Sequence, residues 1–114
     1  MLHEMKLNPE PFEQIKAGTK TAEIRLYDEK RRLINVGDEI IFRKLPELNE
    51  TIKTKVTGLT ISSDFTNLFT LVTPVLGGWN PTDTSIMASS DMGKYYSKDD
   101  EYKFGVLAIH IKLI

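Results

Sequence analysis

The sequence predicts an α+β fold, a small β-barrel of about five strands with two or three short helices at its ends. Segments rich in alternating or β-branched residues recur along the chain, as expected for strands with one buried face. The helical segments are short and do not alternate with strands as βαβ units do. With 114 residues the chain can form one core but not two, so a single domain over residues 1–114 is expected.

The N-terminal half contains three predicted strands and one predicted helix. Apolar and polar residues alternate over 2–7, which indicates a half-buried strand. The segment 8–18 then predicts a helix that starts at an asparagine cap, has prolines in its first turn and ends at a glycine. A strand is expected at 21–26, a charged turn at 27–32, and a strand of strong β formers at 39–43.

The middle of the chain predicts a long strand followed by a helix. Threonine and lysine alternate with apolar residues over 51–61, so this strand should have one solvated face, and Gly58 should mark a bulge. Ser63 or Asp64 can cap a helix that carries an apolar stripe over 65–72. Pro74 should end it.

The last third of the chain predicts a helix, a turn and a closing strand. The helix should start at Asp83 or Thr84 and extend towards Tyr95 and Tyr96. The residues 97–101 are expected to form a polar, solvated turn. The segment 104–113 is apolar on both faces in its first half, so it should be a central strand.

The composition is that of an ordinary soluble globular protein, with 40% apolar and 27% charged residues. Its 15 basic and 16 acidic residues give a net charge of -1, so binding of a nucleic acid would require a local basic patch. The absence of cysteine excludes disulfides and thiol chemistry, and two histidines are too few for a histidine-rich metal site. We therefore expect neither a metal nor another cofactor. No secretion signal or membrane-spanning run is present, so a cytoplasmic location away from membranes is expected.

The octet Gly-Thr-Lys-Thr-Ala-Glu-Ile-Arg at 18–25 is the most informative local pattern. Glu23 and Arg25 lie two residues apart and so share one face of the predicted strand, with Lys20 at its start. One interpretation is a surface strand with an exposed ion pair. The other is a polar cleft floor where a cation, a carboxylate and a forked donor meet a ligand. The pattern by itself favours the surface strand.

The sequence resembles the ASCH domain family over nearly its whole length. The family signature Gly-x-Lys-x-x-Glu-x-Arg is matched at Gly18, Lys20, Glu23 and Arg25. Further segments that carry the resemblance are 5–12, 15–17, 36–40, 95–97 and 102–109. The resemblance implies a PUA-like β-barrel whose cleft is lined by the signature, and a role connected with RNA or nucleotides. It therefore favours the cleft over the surface ion pair.

On this basis the first hypothesis is a binding domain for RNA or a nucleotide. Arg25 can grip a phosphate or base edge in two bonds, Lys20 offers a mobile charge, and Glu23 can accept from a base or orient Arg25. Aromatic rings beside basic groups would support the base. Tyr95 is a further aromatic candidate, and 30–32 form the one dense basic cluster. The predicted ligand-binding residues are Lys20, Glu23, Arg25, Tyr27, Arg31, Trp79 and Tyr96.

The alternative hypothesis is a small hydrolase of RNA or a modified nucleoside, with Lys20 and Glu23 as catalytic residues. Some ASCH-like proteins hydrolyse an acetyl amide on modified cytidine with a lysine, a threonine and a carboxylate, and others have been proposed to cut single-stranded RNA. The threonine position is Glu23 here, and the helix before the last strand lacks a matching glutamate unless Asp83 or Asp91 replaces it. These departures favour binding. A role in protein interaction ranks last because exposed apolar stretches are few.

Overall fold

The computed structural model describes all 114 residues, which form five strands, four α-helices and two 3-10 turns. The strands are β1 (Leu2–Leu7), β2 (Ala22–Leu26), β3 (Glu39–Lys44), β4 (Thr51–Ser62) and β5 (Val106–Leu113). The helices are α1 (Pro9–Ala17), α2 (Phe65–Leu71), α3 (Ser85–Met92) and α4 (Lys98–Phe104), and the 3-10 turns are Arg31–Leu33 and Pro74–Gly77. None of the helices is both long and apolar enough to pass through a membrane.

The strands form one sheet in the order β1-β3-β4-β5-β2. The β1–β3 pair is parallel and the other pairs are antiparallel. The sheet curls into a half-barrel, and β1 and β2 are its two outer strands. The predicted fold class, an α+β fold built on a curled sheet of about five strands, is confirmed, with four α-helices where two or three were expected. The register of β4 against β5 shifts between Val56 and Gly58, where the sequence predicted a bulge.

Two hydrophobic cores lie on opposite faces of the sheet, and β5 contributes to both. Its residues Leu107 and Ile109 belong to the core that β1, β3 and α1 also form. Its residues Val106 and Ala108 belong to the core that β2, α2 and α3 form. All four side chains are fully buried. The central position predicted for this strand is therefore correct, because alternating side chains of one strand enter both cores.

The prediction of a solvated turn at 97–101 was wrong. Ser97 caps α4 and accepts a hydrogen bond from the main-chain N–H of Asp100, and three acidic residues follow in the first turn. Acidic side chains stabilise a helix N-terminus, so the run that suggested a turn favours a helix. Glu101 is buried and accepts a hydrogen bond of 2.8 Å from the main-chain N–H of Phe65 at the start of α2. Its side chain thereby joins the two helices.

Candidate ligand-binding cleft

A cleft of about 580 Å³ opens between the two outer strands of the half-barrel. Its floor contains the end of β1 and the middle of β2. Its walls are formed by α1, by residues 77–80 and by the segment from Asp91 to Tyr96. The cleft is within the size range of sites that enclose a small ligand.

Three charged side chains of the predicted signature meet in this cleft and form one ion-paired group. The Nζ of Lys20 lies 3.2 Å from Oε1 of Glu23, and Nη2 of Arg25 lies 2.9 Å from Oε2. The Nε of Arg25 donates to the same Oε2 at 3.1 Å. Lys20 and Glu23 are both 5% exposed. We call this group the buried triad.

Burial and ion pairing act in opposite directions on the Glu23 carboxyl group. Burial by itself would raise its pKa, because the charged form loses its hydration. The charges of Lys20 and Arg25 and their hydrogen bonds outweigh burial, so the pKa of Glu23 lies below its usual value. Glu23 is therefore ionised at neutral pH, and the triad has one excess positive charge.

Arg25 spans the gap between the two outer strands. Its Nη2 donates a 3.2 Å hydrogen bond to the main-chain oxygen of Lys6 on β1, while its own main chain belongs to β2. Glu23 and the main chain of Lys6 thus hold Arg25 at a point where the strands themselves are not paired.

Lys20 is fixed by a loop that is distant in sequence. Its Nζ donates a 2.7 Å hydrogen bond to the main-chain oxygen of Gly77. A Cβ atom at position 77 would lie 2.8 Å from the ring of Trp79, so only glycine fits beside this ring. The next residue, Gly78, accepts a 3.1 Å hydrogen bond from the side-chain amide of Gln14 on α1. No sequence pattern indicated Gly77 or Gln14, because their contacts depend on main-chain oxygens and on packing.

The aromatic residues of the cleft are oriented by their neighbours. The indole N–H of Trp79 donates to Oδ2 of Asp91 at 2.8 Å, and its ring packs edge-on against Phe69 at 5.1 Å. The ring of Tyr96 stacks against Phe65 with centroids 5.9 Å apart. Tyr95 is exposed at the rim. Both Tyr95 and Tyr96 lie beyond the end of α3, although the sequence predicted that the helix would continue towards them.

The structure brings together five of the seven predicted ligand-binding residues. These are Lys20, Glu23, Arg25, Trp79 and Tyr96. Tyr27 and Arg31 do not line the cleft. The ring of Tyr27 lies under the guanidinium group of Arg32 at 4.2 Å, and Nη1 of Arg31 is 3.1 Å from Oδ2 of Asp28.

The charges that line the cleft are balanced. Four basic and four acidic side chains contribute to its surface, and they are Lys6, Lys20, Arg25, Lys94, Glu10, Glu23, Asp83 and Asp91. Asp91 accepts from Trp79 and also pairs with Lys94 at 3.2 Å. The cleft therefore offers many fixed donors and acceptors but little net attraction for an anion.

Comparison with known proteins decides the family. The family model of the ASCH domain matches residues 5–114. The chain belongs to the ASCH domain family. Three of the four signature residues of this ASCH domain, Lys20, Glu23 and Arg25, line the cleft, and the fourth, Gly18, ends α1 with a left-handed main chain at φ 83°.

Solved structures similar to this ASCH domain include two over essentially its full length. The hypothetical protein PH0355 is 36% identical, with a TM-score of 0.88 and coverage of 100% of both chains. Protein PF0455 from Pyrococcus furiosus is 31% identical, with a TM-score of 0.76 and coverage of 100% of this chain and 98% of its own. The ASCH protein of Zymomonas mobilis shares the fold at 15% identity, with a TM-score of 0.68 over 97% of this chain and 68% of its own. A search of curated proteins finds no match.

Proposed function

We propose that this protein is an RNA-binding ASCH domain that holds a nucleotide of single-stranded RNA in the cleft. ASCH domains generally bind RNA. The observation that carries the proposal is the position of the buried triad, which holds Arg25 across the gap between β1 and β2 and inside a cleft with two oriented aromatic rings. Splayed bases in single-stranded RNA are recognised by rings and forked donors of this kind.

Arg25 is the residue best placed to contact the ligand. Its hydrogen bonds to Glu23 and Lys6 use Nε and Nη2, and Nη1 takes part in neither. Nη1 can therefore donate to a base edge or a phosphate oxygen. Because Glu23 and the Lys6 carbonyl fix the plane of the guanidinium group, little side-chain entropy is lost when it binds.

Trp79 and Tyr96 supply the surface for the base. Trp79 is fixed at its N–H by Asp91 and along its ring by Phe69, so it offers a rigid aromatic surface. Stacking of one base on an aromatic side chain contributes about 1–3 kcal/mol. The balanced charge of the cleft lining suits a neutral base better than a second phosphate.

The hydrolase alternative assigns catalysis to Lys20 and Glu23. Here Lys20 Nζ has the carbonyl of Gly77 and the carboxylate of Glu23 as partners, and Glu23 also accepts from Arg25. Both partners accept hydrogen bonds, so Nζ of Lys20 is engaged as a donor and is not positioned to attack a substrate or to accept a proton. This arrangement supports binding in preference to hydrolysis.

The test is to measure binding and turnover on the same samples. We expect the parent protein to bind single-stranded RNA without cleaving it, and Arg25→Ala to weaken binding at least about tenfold through loss of a charge-assisted contact. Trp79→Ala should weaken it by a similar factor. Arg43→Ala is the matched control, since Arg43 pairs with Glu4 on the surface outside the cleft.

Two results would contradict the proposal. Turnover of RNA or acetylcytidine by the parent that disappears in Lys20→Met would establish the hydrolase instead. Equal losses in Arg25→Ala and Arg43→Ala would show that RNA contacts positive charge in general and not the cleft. Thermal unfolding of each variant should accompany these measurements, so that loss of binding is separated from loss of fold.

A further inference from the structure

A second group of basic residues lies on the surface beyond the cleft. Six of the fifteen lysines and arginines form no ion pair with a carboxylate. Three of these six are neighbours in the structure, and we call Lys30, Arg32 and Lys103 the basic patch. Nη2 of Arg32 donates a 2.9 Å hydrogen bond to the main-chain oxygen of Phe104, which directly follows Lys103. Lys30 precedes the 3-10 turn that carries Arg32.

The basic patch lies beyond the end of β2. Tyr27 directly follows this strand, and its main-chain N–H still donates to the oxygen of Gly105, so the chain continues in the strand direction. The side chains of Arg25 and Tyr27 therefore leave the chain on the same side, about 7 Å from each other. The guanidinium group of Arg32 lies 4.2 Å from the centre of the Tyr27 ring. The order Arg25, Tyr27, Arg32 therefore leads from the cleft to the patch.

Aromatic rings accompany the basic groups of the patch. Tyr27 supports Arg32, and Nζ of Lys103 lies 5.1 Å from the ring centre of Phe104. Because its stacking and its bond to the Phe104 carbonyl fix Arg32, this residue is pre-organised for a phosphate oxygen. The carboxylates nearby are Asp28, which is paired with Arg31, the exposed Glu29, and Asp99 and Asp100 in the first turn of α4. None of these carboxylates forms an ion pair with Lys30, Arg32 or Lys103, so the three cations of the patch are free to contact an anion.

We infer that the basic patch binds the sugar-phosphate backbone of the RNA strand whose nucleotide occupies the cleft. The inference rests on the proposed function and extends it, because it assigns the contacts that the rest of the RNA strand makes outside the cleft. The cleft lining has balanced charge, whereas the patch has unpaired cations, so the patch supplies the attraction for phosphate that the cleft lacks. It also explains how a protein of net charge -1 can bind a polyanion.

The test compares two double variants with identical chemistry. Lys30→Gln/Lys103→Gln removes two charges from the patch, and Lys55→Gln/Lys112→Gln removes two from lysines that face each other on β4 and β5 and also form no ion pair. All four side chains are exposed, so both variants should fold. The probes are a random single-stranded RNA of about ten nucleotides and the nucleoside 5′-monophosphates, each titrated at several salt concentrations.

We expect the patch variant to bind the RNA more weakly, with a salt dependence shallower by about 1.4 in log–log slope for two lost phosphate contacts. Its binding of monophosphates and the behaviour of the control variant should match the parent. Equal weakening in both double variants, or none in the patch variant, would overturn the inference.

Arg25→Ala separates this inference from the proposed function. If Arg25→Ala weakens binding of both probes while the patch variant does not, the cleft binds RNA as proposed and the inference about the basic patch is refuted. If the patch variant weakens RNA binding while Arg25→Ala does not, the patch binds RNA without the cleft, which refutes the proposed function and the link between cleft and patch. A parent protein that binds neither probe would refute both.

Discussion

Two groups of ion pairs in this protein have the same chemistry but different surroundings. The buried triad joins Lys20, Glu23 and Arg25 at distances of 2.9–3.2 Å. A surface network joins four residues on α1, at the end of β3 and just before β4, at distances of 2.8–3.6 Å. Its members are Glu13, Lys16, Lys44 and Glu50. Distance does not separate the two groups, so their difference must come from burial.

Burial determines how much each group of ion pairs contributes to folding stability. The side chain of Glu23 is 7% exposed, whereas that of Glu50 is 42% exposed. Exposed pairs are screened by water and salt and contribute little. When a buried carboxylate is lost, its partner cations stay buried without a counter-charge. The resulting loss of folding stability is much larger than the contribution of an exposed pair. The comparison therefore predicts large effects in the triad and small ones in the network.

The largest expected effect is that of Glu23→Gln. The substitution keeps the shape of the side chain but leaves the buried Lys20 and the half-buried Arg25 without a counter-charge. We expect the free energy of unfolding to fall by about 3–5 kcal/mol, measured by urea denaturation. The control is Glu4→Gln, which breaks the exposed pair with Arg43. Similar midpoints for both variants would show that the triad is hydrated and that its burial has no energetic consequence.

The second largest expected effect is the pH dependence of the stability that Glu23 contributes. The pKa of Glu23 in the folded protein lies below its ordinary value of 4.5, because Lys20 and Arg25 outweigh burial. Its stabilisation is therefore complete above pH 4.5 and is lost as the pH falls through the lower, folded-state pKa. Glutamine does not titrate. We expect the difference in unfolding free energy between parent and Glu23→Gln to stay constant near neutral pH and to narrow below pH 4.5.

Asp38 is the internal control for that titration. Hydrogen bonds from His3 and the Asn35 main chain hold the pKa of Asp38 well below its usual range. Both proteins retain Asp38, so its contribution to acid sensitivity cancels in the difference. If the difference in unfolding free energy between parent and Glu23→Gln stays constant down to the pH at which the parent unfolds, the charge of Glu23 does not stabilise the fold.

The contrast between the two groups also explains what the sequence could predict. The spacing of Glu23 and Arg25 on one strand face predicted that they would act together, because a strand alternates its side chains. The family resemblance placed them in a cleft. The other contacts of the triad use main-chain oxygens of Lys6 and Gly77, which lie far away in sequence. Any residue has such an oxygen, so no side-chain pattern could indicate them.

The fold, like the triad, was predictable where side-chain patterns determine it and not where it depends on contacts with distant main-chain atoms. The apolar stretch of β5 predicted a central strand because burial on both faces requires apolar residues at every position. The charge of the acidic run before β5 predicts a solvated turn, whereas the Ser97 cap makes the same run the first turn of α4. Glu101 became buried through a main-chain partner on α2, at Phe65, and that contact depends on tertiary packing.

The smallest expected effect is that of Glu50→Gln in the surface network. Glu50 pairs with Lys16 and Lys44, and both lysines remain hydrated when the carboxylate is lost. Lys44 also keeps its 2.8 Å contact with Glu13. We expect no resolvable change in urea midpoint at physiological salt and a small decrease at low salt, where screening is weaker. A decrease comparable to that of Glu23→Gln would mean that the network acts as a cooperative unit, and burial would no longer explain the difference between the two groups.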